Sequence, residues 1–285
     1  MKKPATQTSN SDLRGDYEGA AADYTVPQDW EAYTPAMHER WRRLYARQSA
    51  LVETHACASF REGLARLDCS EGIPKFADAN AVLSAATGWR LVAVPGFIPD
   101  AVFFDHLSRR QFPVTRWLRE EHELDYLVEP DVFHDFFGHV PMLLDPAIAD
   151  FLELYGKAGA RAIAMDALDM LARLYWYTIE FGLVREGEGL KVFGAGIISS
   201  AAETRFAIED RQVLRLPFEP VRVMRTAYRI DAFQQTYFVL ESLPQLIGDL
   251  VGLDFGPLYE IWRDAAPLPA GEVLAGEQTF HTSFF

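Results

Sequence analysis

Over most of the chain, apolar residues recur at the three-to-four-residue spacing of an α-helix. Thr34 and Pro35 mark one helix start, because a threonine cap followed by proline at the first helical position is typical there. The helices predicted from the apolar pattern cover about residues 35–47, 49–66, 76–86, 98–107, 130–137, 146–161, 164–182 and 243–251, and a further one begins near Ser199 and Ser200. His55 falls on the apolar stripe of the second helix, which indicates a structural role.

Short β-rich runs interrupt the helices. One covers residues 90–94, and two more, at about 182–186 and 190–193, flank a glycine-rich turn. The segments left open between strand and another structure are 112–119, 214–224 and 234–240. The predicted fold class is therefore α+β, mainly α with a few short β-strands.

The chain divides into a polar N-terminal segment and one domain. Residues 1–25 are small and polar and lack a periodic apolar pattern, so we expect a flexible N-terminal tail. Residues 26–285 contain no sequence repeat and no linker long enough to separate two domains. We therefore expect them to form a single domain.

Composition and charge exclude several classes of protein. Hydrophobic residues make up 49% of the 285 residues and charged residues 24%, which is ordinary for a globular protein. The 41 acidic and 27 basic residues give a net charge of −14, so we expect neither nucleic acid nor a membrane as a partner. No apolar run approaches the ~18–20 residues that a membrane-spanning helix needs.

The cysteines and the N-terminal residues indicate the cytoplasm. Cys57 and Cys69 have no metal-like spacing, and the default state of such residues is a reduced thiol in the cytosol. The chain begins with MKK, as a signal peptide can, but residues 4–11 are polar where an apolar segment should follow. We therefore expect a cytoplasmic protein.

Two histidines stand close together in the aromatic run EPDVFHDFFGHVP at residues 129–141. His134 and His139 are five residues apart, and on an uninterrupted α-helix this spacing turns one side chain about 140° away from the other. Gly138 lies between them, and a residue without Cβ accepts unusual backbone angles. The two imidazoles can therefore converge only if the helix ends or deforms near Gly138.

Glu180 is a candidate third ligand. It lies in the run YWYTIEFG at residues 175–182, where a carboxylate is costly to desolvate unless it is paired or bound to a cation. Two histidines and one carboxylate are the ligand set of a facial-triad iron(II) site. The residues alone leave open that the glutamate pairs with an arginine and that the histidines are hydrogen-bonded core residues.

His106 and His122 have polar neighbours and are expected at the surface.

Three separated segments resemble those of one enzyme family. Residues 129–141 resemble the signature of the pterin-dependent aromatic amino acid hydroxylases. Residues 175–182 and the run GAGIISS at 194–200 resemble two further blocks, in the expected order and at the expected distances. The similarity covers about residues 26–250, and the length is most similar to that of the bacterial phenylalanine 4-hydroxylases. The resemblance implies one catalytic domain of this type over residues 26–285.

The resemblance also implies an iron enzyme. His134, His139 and Glu180 would hold iron(II) on one face and leave positions for water and O₂. The implied cofactor is a tetrahydropterin, either tetrahydrobiopterin or a bacterial analogue, and O₂ is the co-substrate. The implied reaction is the hydroxylation of L-phenylalanine to L-tyrosine.

A substrate pocket follows from the same resemblance. Arg119 matches the arginine that binds the amino acid carboxylate, and Glu129 matches the acid that orients it, because an arginine held by a carboxylate offers a planar fork. Ile230 falls where an apolar residue goes with phenylalanine and an aspartate with tyrosine, since an apolar wall leaves a phenolic hydroxyl unpaired. The other matched residues are Trp176, Phe181, Gly196, Ser199 and Ser200.

A pterin pocket is implied as well. Phe103 matches the aromatic residue that stacks on the pterin. The matched residues around it are Gly96 and Ile98 on a loop, and Asp135, Ala172 and Tyr175 on the other side. Asp135 could instead be a hydrogen-bond partner of a metal-ligating histidine.

Rival functions remain open from the sequence. Tryptophan hydroxylation belongs to the same family. A zinc hydrolase could use the same three ligands, although the chain lacks a HisGluxxHis motif. A non-catalytic protein that binds aromatic amino acids could keep the fold. The chain shows no coiled-coil seam, so we expect a monomer or a weak dimer.

Overall fold

Helices dominate the computed structural model of the chain. It describes residues 14–125, 127, 129–230, 232–250 and 252–280. The buried side chains form one hydrophobic core, in which Trp41, Trp89 and Tyr177 are among the largest fully buried residues. Across these residues, none of the helices has the length and apolar character needed to cross a membrane. The predicted mainly helical α+β class is confirmed.

Eleven α-helices lie in the described part of the chain. They are α1 (Pro35–His55), α2 (Ala58–Leu67), α3 (Phe76–Ala86), α4 (Asp100–Ser108), α5 (Pro146–Ala164), α6 (Leu168–Tyr175), α7 (Ala195–Ile198), α8 (Ala201–Glu209), α9 (Pro220–Arg225), α10 (Leu243–Leu250) and α11 (Phe255–Trp262). Short 3-10 helices span Trp30–Ala32, Glu121–Glu123 and Val140–Leu144. The Thr34 side chain caps α1 by accepting the backbone N–H of Met37, as the cap-and-proline pattern predicts.

Helix α1 is longer than predicted. It runs unbroken to His55, so the predicted boundary near residue 48 is wrong. Gln48 is fully buried and its side-chain amide donates to the carbonyl of Ile198. A buried polar residue that finds such a partner can remain inside a helix. The helix ends instead at Ala56, where the backbone becomes extended.

Six strands in the described residues form two small sheets. They are β1 (Arg90–Val94), β2 (Gln111–Thr115), β3 (Gly182–Glu186), β4 (Gly189–Val192), β5 (Leu214–Pro217) and β6 (Thr236–Leu240). β1 and β2 pair in parallel through the crossover helix α4, with Arg90 opposite Gln111. The second sheet has the order β4-β3-β6-β5, with an antiparallel β3-β4 hairpin and parallel pairs on the other side of β3. The strands predicted at 90–94 and 182–186 are confirmed.

Two π-helical segments replace parts of the predicted helices. They span Phe133–His139 and Trp176–Glu180. The second follows α6 directly. The long helix predicted over 164–182 is therefore divided. Helix α5 ends at Ala164, and Asp166, with φ of 50°, separates α5 from α6.

The described N-terminal segment lies against the domain. The guanidinium of Arg14 binds the Glu123 carboxylate at 2.7 Å, and the Tyr17 hydroxyl donates to the carbonyl of Phe97 at 2.9 Å. These contacts attach the later part of the expected tail to the folded body, while residues 1–13 lie outside the described residues. The division of the chain near residue 26 stays a prediction.

Candidate metal centre and active site

The π-helix Phe133–His139 explains how two histidines five residues apart converge. A π-helix closes hydrogen bonds between residues i and i+5, so side chains with this spacing follow one another on one face. The Nε2 atoms of His134 and His139 lie 3.3 Å apart. A Cβ on Gly138 would lie 3.0 Å from the Ala195 Cβ, so the glycine also lets α7 approach closely. The deformation expected near Gly138 is confirmed.

Glu180 reaches the same point from the end of the second π-helix. Its Oε1 lies 3.1 Å from Nε2 of His139, and its Oε2 lies 3.6 Å from Nε2 of His134. The carboxylate therefore faces both imidazoles at the nitrogens that a metal would use. Two imidazoles and one carboxylate around a common centre fit the ligand set of a non-haem iron(II) site.

The surroundings orient the two imidazoles differently. The Ser199 hydroxyl lies 2.9 Å from Nδ1 of His134, which leaves Nε2 facing the centre. Burial lowers the pKa of His134, which favours the neutral imidazole that a metal requires. Burial alone would lower the pKa of His139 too, but the charge and hydrogen bond of Glu180 raise it. A bound cation would take the place of that shared proton.

Asp135 is a second carboxylate beside the histidines. One of its oxygens lies within 4.8 Å of a ring nitrogen of each histidine. Its Oδ2 accepts the backbone N–H of Thr115 at 2.7 Å, and burial raises its pKa. Glu180 is the better third ligand, because each of its oxygens faces one imidazole nitrogen, whereas Asp135 is bound to the backbone.

A cavity of about 770 Å³ opens beside the three ligands. His134 and Glu180 lie in its wall. All the residues predicted for substrate binding line this cavity: Arg119, Glu129, Trp176, Phe181, Gly196, Ser199, Ser200 and Ile230. The rings of Trp176 and Phe181 lie 4.9 Å apart and give the cavity an aromatic side. A space of this volume is large enough for a small ligand such as an amino acid.

Asp131, and not Glu129, holds Arg119. The Nε and Nη2 atoms of Arg119 donate to the two oxygens of Asp131 at 2.9 and 2.8 Å, and Asp131 also accepts the backbone N–H of His134. Burial alone would raise the pKa of Asp131, but the guanidinium charge and these hydrogen bonds lower it. Glu129 instead accepts the backbone N–H of Arg14 at 3.2 Å. The prediction that Glu129 orients Arg119 is therefore wrong.

The predicted pterin residues lie beyond the described lining of this cavity. The rings of Phe103 and Tyr175 lie 5.8 Å apart at an angle of 84°. The Tyr175 ring is 6.3 Å from that of His139. Tyr175 therefore lies between His139 and Phe103, and Asp135 belongs to the same π-helix as the two histidines.

The loop predicted to meet the pterin ring is partly covered. A Cβ on Gly96 would lie 2.7 Å from the carbonyl oxygen of Arg14 and 2.9 Å from the Tyr17 hydroxyl. Ile98 on this loop and Ala172 on α6 are both half-buried. Their contact with a pterin stays a prediction.

Phe97, Glu203 and Gln234 are cavity residues that were not predicted. Phe97 lies between two residues of the predicted pterin loop, so its place could have been found from its neighbours. Glu203 lies in the first turn of α8, where a carboxylate is ordinarily a surface residue. Gln234 falls in a segment that the sequence left open between helix and strand.

The chain is similar to one family of enzymes over most of its length. The family model for biopterin-dependent aromatic amino acid hydroxylases matches residues 10–251. The chain belongs to this family. The predicted family membership is confirmed, and the site is that of a biopterin-dependent hydroxylase.

Two curated relatives of this hydroxylase are bacterial enzymes. It is 53% identical over 254 residues to a phenylalanine-4-hydroxylase of Chromobacterium violaceum, covering 89% of this chain and 85% of the relative. It is 50% identical over 260 residues to that of Caulobacter vibrioides, covering 91% of this chain and 88% of the relative. The similarity therefore spans nearly the whole of each protein.

Solved structures share the fold of the hydroxylase. The phenylalanine hydroxylase of C. violaceum with bound oxidized Fe(III) has a TM-score of 0.88 at 51% identity, over 91% of this chain and 94% of that chain. The structure of that enzyme with iron and phenylalanine bound has a TM-score of 0.87 at 48% identity, over 95% and 97%. The predicted catalytic-domain fold is confirmed.

Proposed function

We propose that this hydroxylase converts L-phenylalanine to L-tyrosine with O₂ and a tetrahydropterin at an iron(II) centre. The observation that carries the proposal is the convergence of His134, His139 and Glu180 beside an aromatic cavity that also contains Arg119. The relatives at 53% and 50% identity are phenylalanine-4-hydroxylases, and a relative of the same fold binds iron and phenylalanine.

The two cofactors have separate tasks. When bound, iron(II) would activate O₂ and the tetrahydropterin would supply two electrons, so that one oxygen atom would go to the substrate ring and the other to the pterin. His134, His139 and Glu180 would hold the iron through two imidazoles and one carboxylate, a ligand set that leaves room for O₂. The aromatic residues around the centre exclude water that would compete with the substrate.

Arg119 sets the direction of the substrate. It is only 5% exposed and its Nε and Nη2 are bound to Asp131, which fixes the plane of the guanidinium. Among the described residues, its Nη1 has no hydrogen-bond partner, so this edge can bind the substrate carboxylate. With the carboxylate there, the ring of the amino acid lies against Trp176 and Phe181, toward the metal ligands.

The choice of phenylalanine rests on an apolar edge of the cavity. Ile230 lines the cavity with its side chain 77% exposed, and it offers no hydrogen-bond partner to a phenolic hydroxyl. A polar group left unpaired in a pocket costs binding free energy, which disfavours tyrosine. Tryptophan hydroxylation, within the same family, is the second candidate.

We expect the pterin to bind near Phe103, beside the π-helix that carries His134 and His139. Phe103 would stack on its ring, and Tyr175 and Asp135 would border it from the direction of the metal ligands. Gly96, Ile98 and Ala172 would complete the pocket. In this arrangement the pterin and the amino acid would approach one centre from separate pockets.

We also propose that the enzyme works in the cytoplasm as a monomer. Cys57 and Cys69 are both buried free thiols, which suits a reducing compartment. Cell fractionation and light scattering of the purified enzyme test the two statements. Recovery outside the cytoplasm or a stable dimer would contradict them.

A product assay tests the function. The purified enzyme is supplied with iron(II), a tetrahydropterin and O₂, and with each of the three aromatic amino acids in turn. We expect tyrosine from phenylalanine, dependent on both iron and pterin. Hydroxytryptophan as the main product would favour the second candidate. A zinc-dependent hydrolysis, or binding of phenylalanine without turnover, would contradict an oxygenase.

A further inference from the structure

The indole of Trp176 is tied to a residue from a distant part of the chain. Its Nε1 donates to the side-chain Oε1 of Gln234 at 3.1 Å. Trp176 also stacks on Tyr228, with ring centroids 4.4 Å apart at 21°, and lies against Phe181. A stacked aromatic ring can still shift parallel to its partner, whereas a hydrogen bond at its edge fixes the position of the ring within its plane. Gln234 therefore sets the orientation of the indole.

Gln234 holds a second part of the cavity as well. Its Oε1 accepts the backbone N–H of Arg229 at 3.3 Å, and its Nε2 donates to the Arg229 carbonyl at 2.6 Å. Both ends of one buried amide are thus bound to the residue next to Ile230. The Ile230 side chain is 77% exposed, so its position depends on the backbone rather than on its own packing.

The Gln234 backbone is anchored in turn. Its N–H donates to Oε1 of Glu203 at 3.2 Å, and the Tyr237 hydroxyl donates to the same oxygen. Glu203 belongs to α8, whose N-terminal cap is Ser200. Gln234 is 2% exposed, so these hydrogen bonds are shielded from water and each unpaired group would be costly.

We propose that Gln234 is a positioning residue that sets the substrate ring against the metal centre by fixing Trp176 and the backbone beside Ile230. This inference rests on the proposed function. A ring held in place would be hydroxylated, whereas with a loosely held ring the tetrahydropterin would be oxidised without hydroxylation, its two electrons reducing O₂ to hydrogen peroxide. The positioning role of Gln234 is therefore measured by the ratio of tyrosine formed to pterin oxidised, which we call the coupling.

The experiment is a double-mutant cycle in the iron-loaded enzyme. Gln234→Met keeps the length of the side chain and removes all three of its hydrogen bonds, and Trp176→Phe removes the indole donor. We expect Gln234→Met to raise the KM for phenylalanine by about tenfold, in line with buried groups left unpaired, and to lower the ratio of tyrosine to oxidised pterin. The rate of pterin oxidation and the iron content should stay within about twofold of the parent, which a merely unfolded protein would not show.

The cycle separates positioning from stability. If Gln234 acts through the indole, the fold-loss in the ratio of tyrosine to oxidised pterin should be clearly smaller in the double variant than the product of the two single fold-losses. Fully multiplicative losses would overturn the proposal. Gln235→Leu changes the exposed neighbouring glutamine and should leave KM and coupling as they are.

A second variant keeps the test decisive if Gln234→Met does not fold. Gln234→Glu retains an acceptor for the indole at the same length, and its buried carboxyl group, kept protonated, donates to the Arg229 carbonyl in place of Nε2. It should keep the ratio of tyrosine to oxidised pterin within about twofold of the parent. A ratio as low as that of Trp176→Phe would overturn the role of the hydrogen bond. Failure of every variant and of the parent to make tyrosine would instead contradict the proposed function.

Discussion

The inner end of the cavity and its outer edge are built in opposite ways. At the inner end, His139, Glu180 and Arg119 are buried or nearly so, and their polar atoms meet charged partners at 2.8 to 3.1 Å. At the outer edge, Phe97 and Ile230 are 47% and 77% exposed, and the hydrogen bonds there bind the backbone of Phe97 and that of Arg229 next to Ile230. Short local segments thus place the reacting groups, while long-range contacts place the residues that select the substrate. Substitution effects should fall from the inner end to the edge.

Removal of a metal ligand should give the largest effect. Glu180→Gln or His139→Ala should abolish iron binding and lower activity by at least about a thousandfold, because the reaction depends on the iron. Metal analysis and the product assay measure this, with circular dichroism to show that the helices remain. His122→Ala, a change of an exposed histidine, is the matched control. Stoichiometric iron in either ligand variant would contradict the assignment.

Breaking the buried ion pair should give the next largest effect. Arg119→Ala should weaken phenylalanine binding by ~2–5 kcal/mol, since a buried charge partner is lost. Asp131→Asn should act in the same direction, because the guanidinium is then no longer held. Glu129→Gln should have a much smaller effect on the KM for phenylalanine. Equal effects of the Asp131 and Glu129 substitutions would show that the structure assigns the partner wrongly.

A methyl group at Gly138 should disturb the inner end moderately. Gly138→Ala would place a Cβ 3.0 Å from the Ala195 Cβ and carbonyl oxygen, so the π-helix or α7 must shift. We expect a loss of about 1–3 kcal/mol in unfolding free energy and weaker iron binding. Thermal unfolding and iron titration measure these. Gly248→Ala, in open space on α10, should not destabilise the protein.

A change at the edge should alter selectivity with little effect on stability. Ile230→Asp should raise the KM for phenylalanine by no more than about tenfold and narrow the preference for phenylalanine over tyrosine. The exposed side chain gives no reason for a change in the melting temperature. Ile261→Asp, at another exposed isoleucine, should leave both quantities as they are. A large loss of stability would show that the edge is packed rather than exposed.

The sequence predicted the elements that have local start and stop signals. The sequence predicts helix α3 at Phe76–Ala86 and strand β1 at Arg90–Val94 with their observed bounds. Gly88 marks the end of α3, and Pro95 and Gly96 mark the end of β1. The sequence also predicts the three candidate metal ligands. Their spacing and setting, together with the family resemblance, indicate His134, His139 and Glu180, and the structure brings these side chains together.

Contacts between distant segments were not predictable. His106 was expected at the surface, yet it is fully buried, with Nδ1 2.8 Å from the side chain of Gln111 and Nε2 2.8 Å from the carbonyl of Asp23. The choice between Asp131 and Glu129 as the partner of Arg119 likewise depends on where the backbone directs two nearby carboxylates. No local pattern contains that information.

The most direct test is a crystal structure of the iron(II)-loaded enzyme with anomalous data at the iron absorption edge. We expect one iron at bonding distance from Nε2 of His134, Nε2 of His139 and the carboxylate of Glu180, with its remaining positions facing the cavity. Iron bound elsewhere, or bound by Asp135 in place of Glu180, would contradict it.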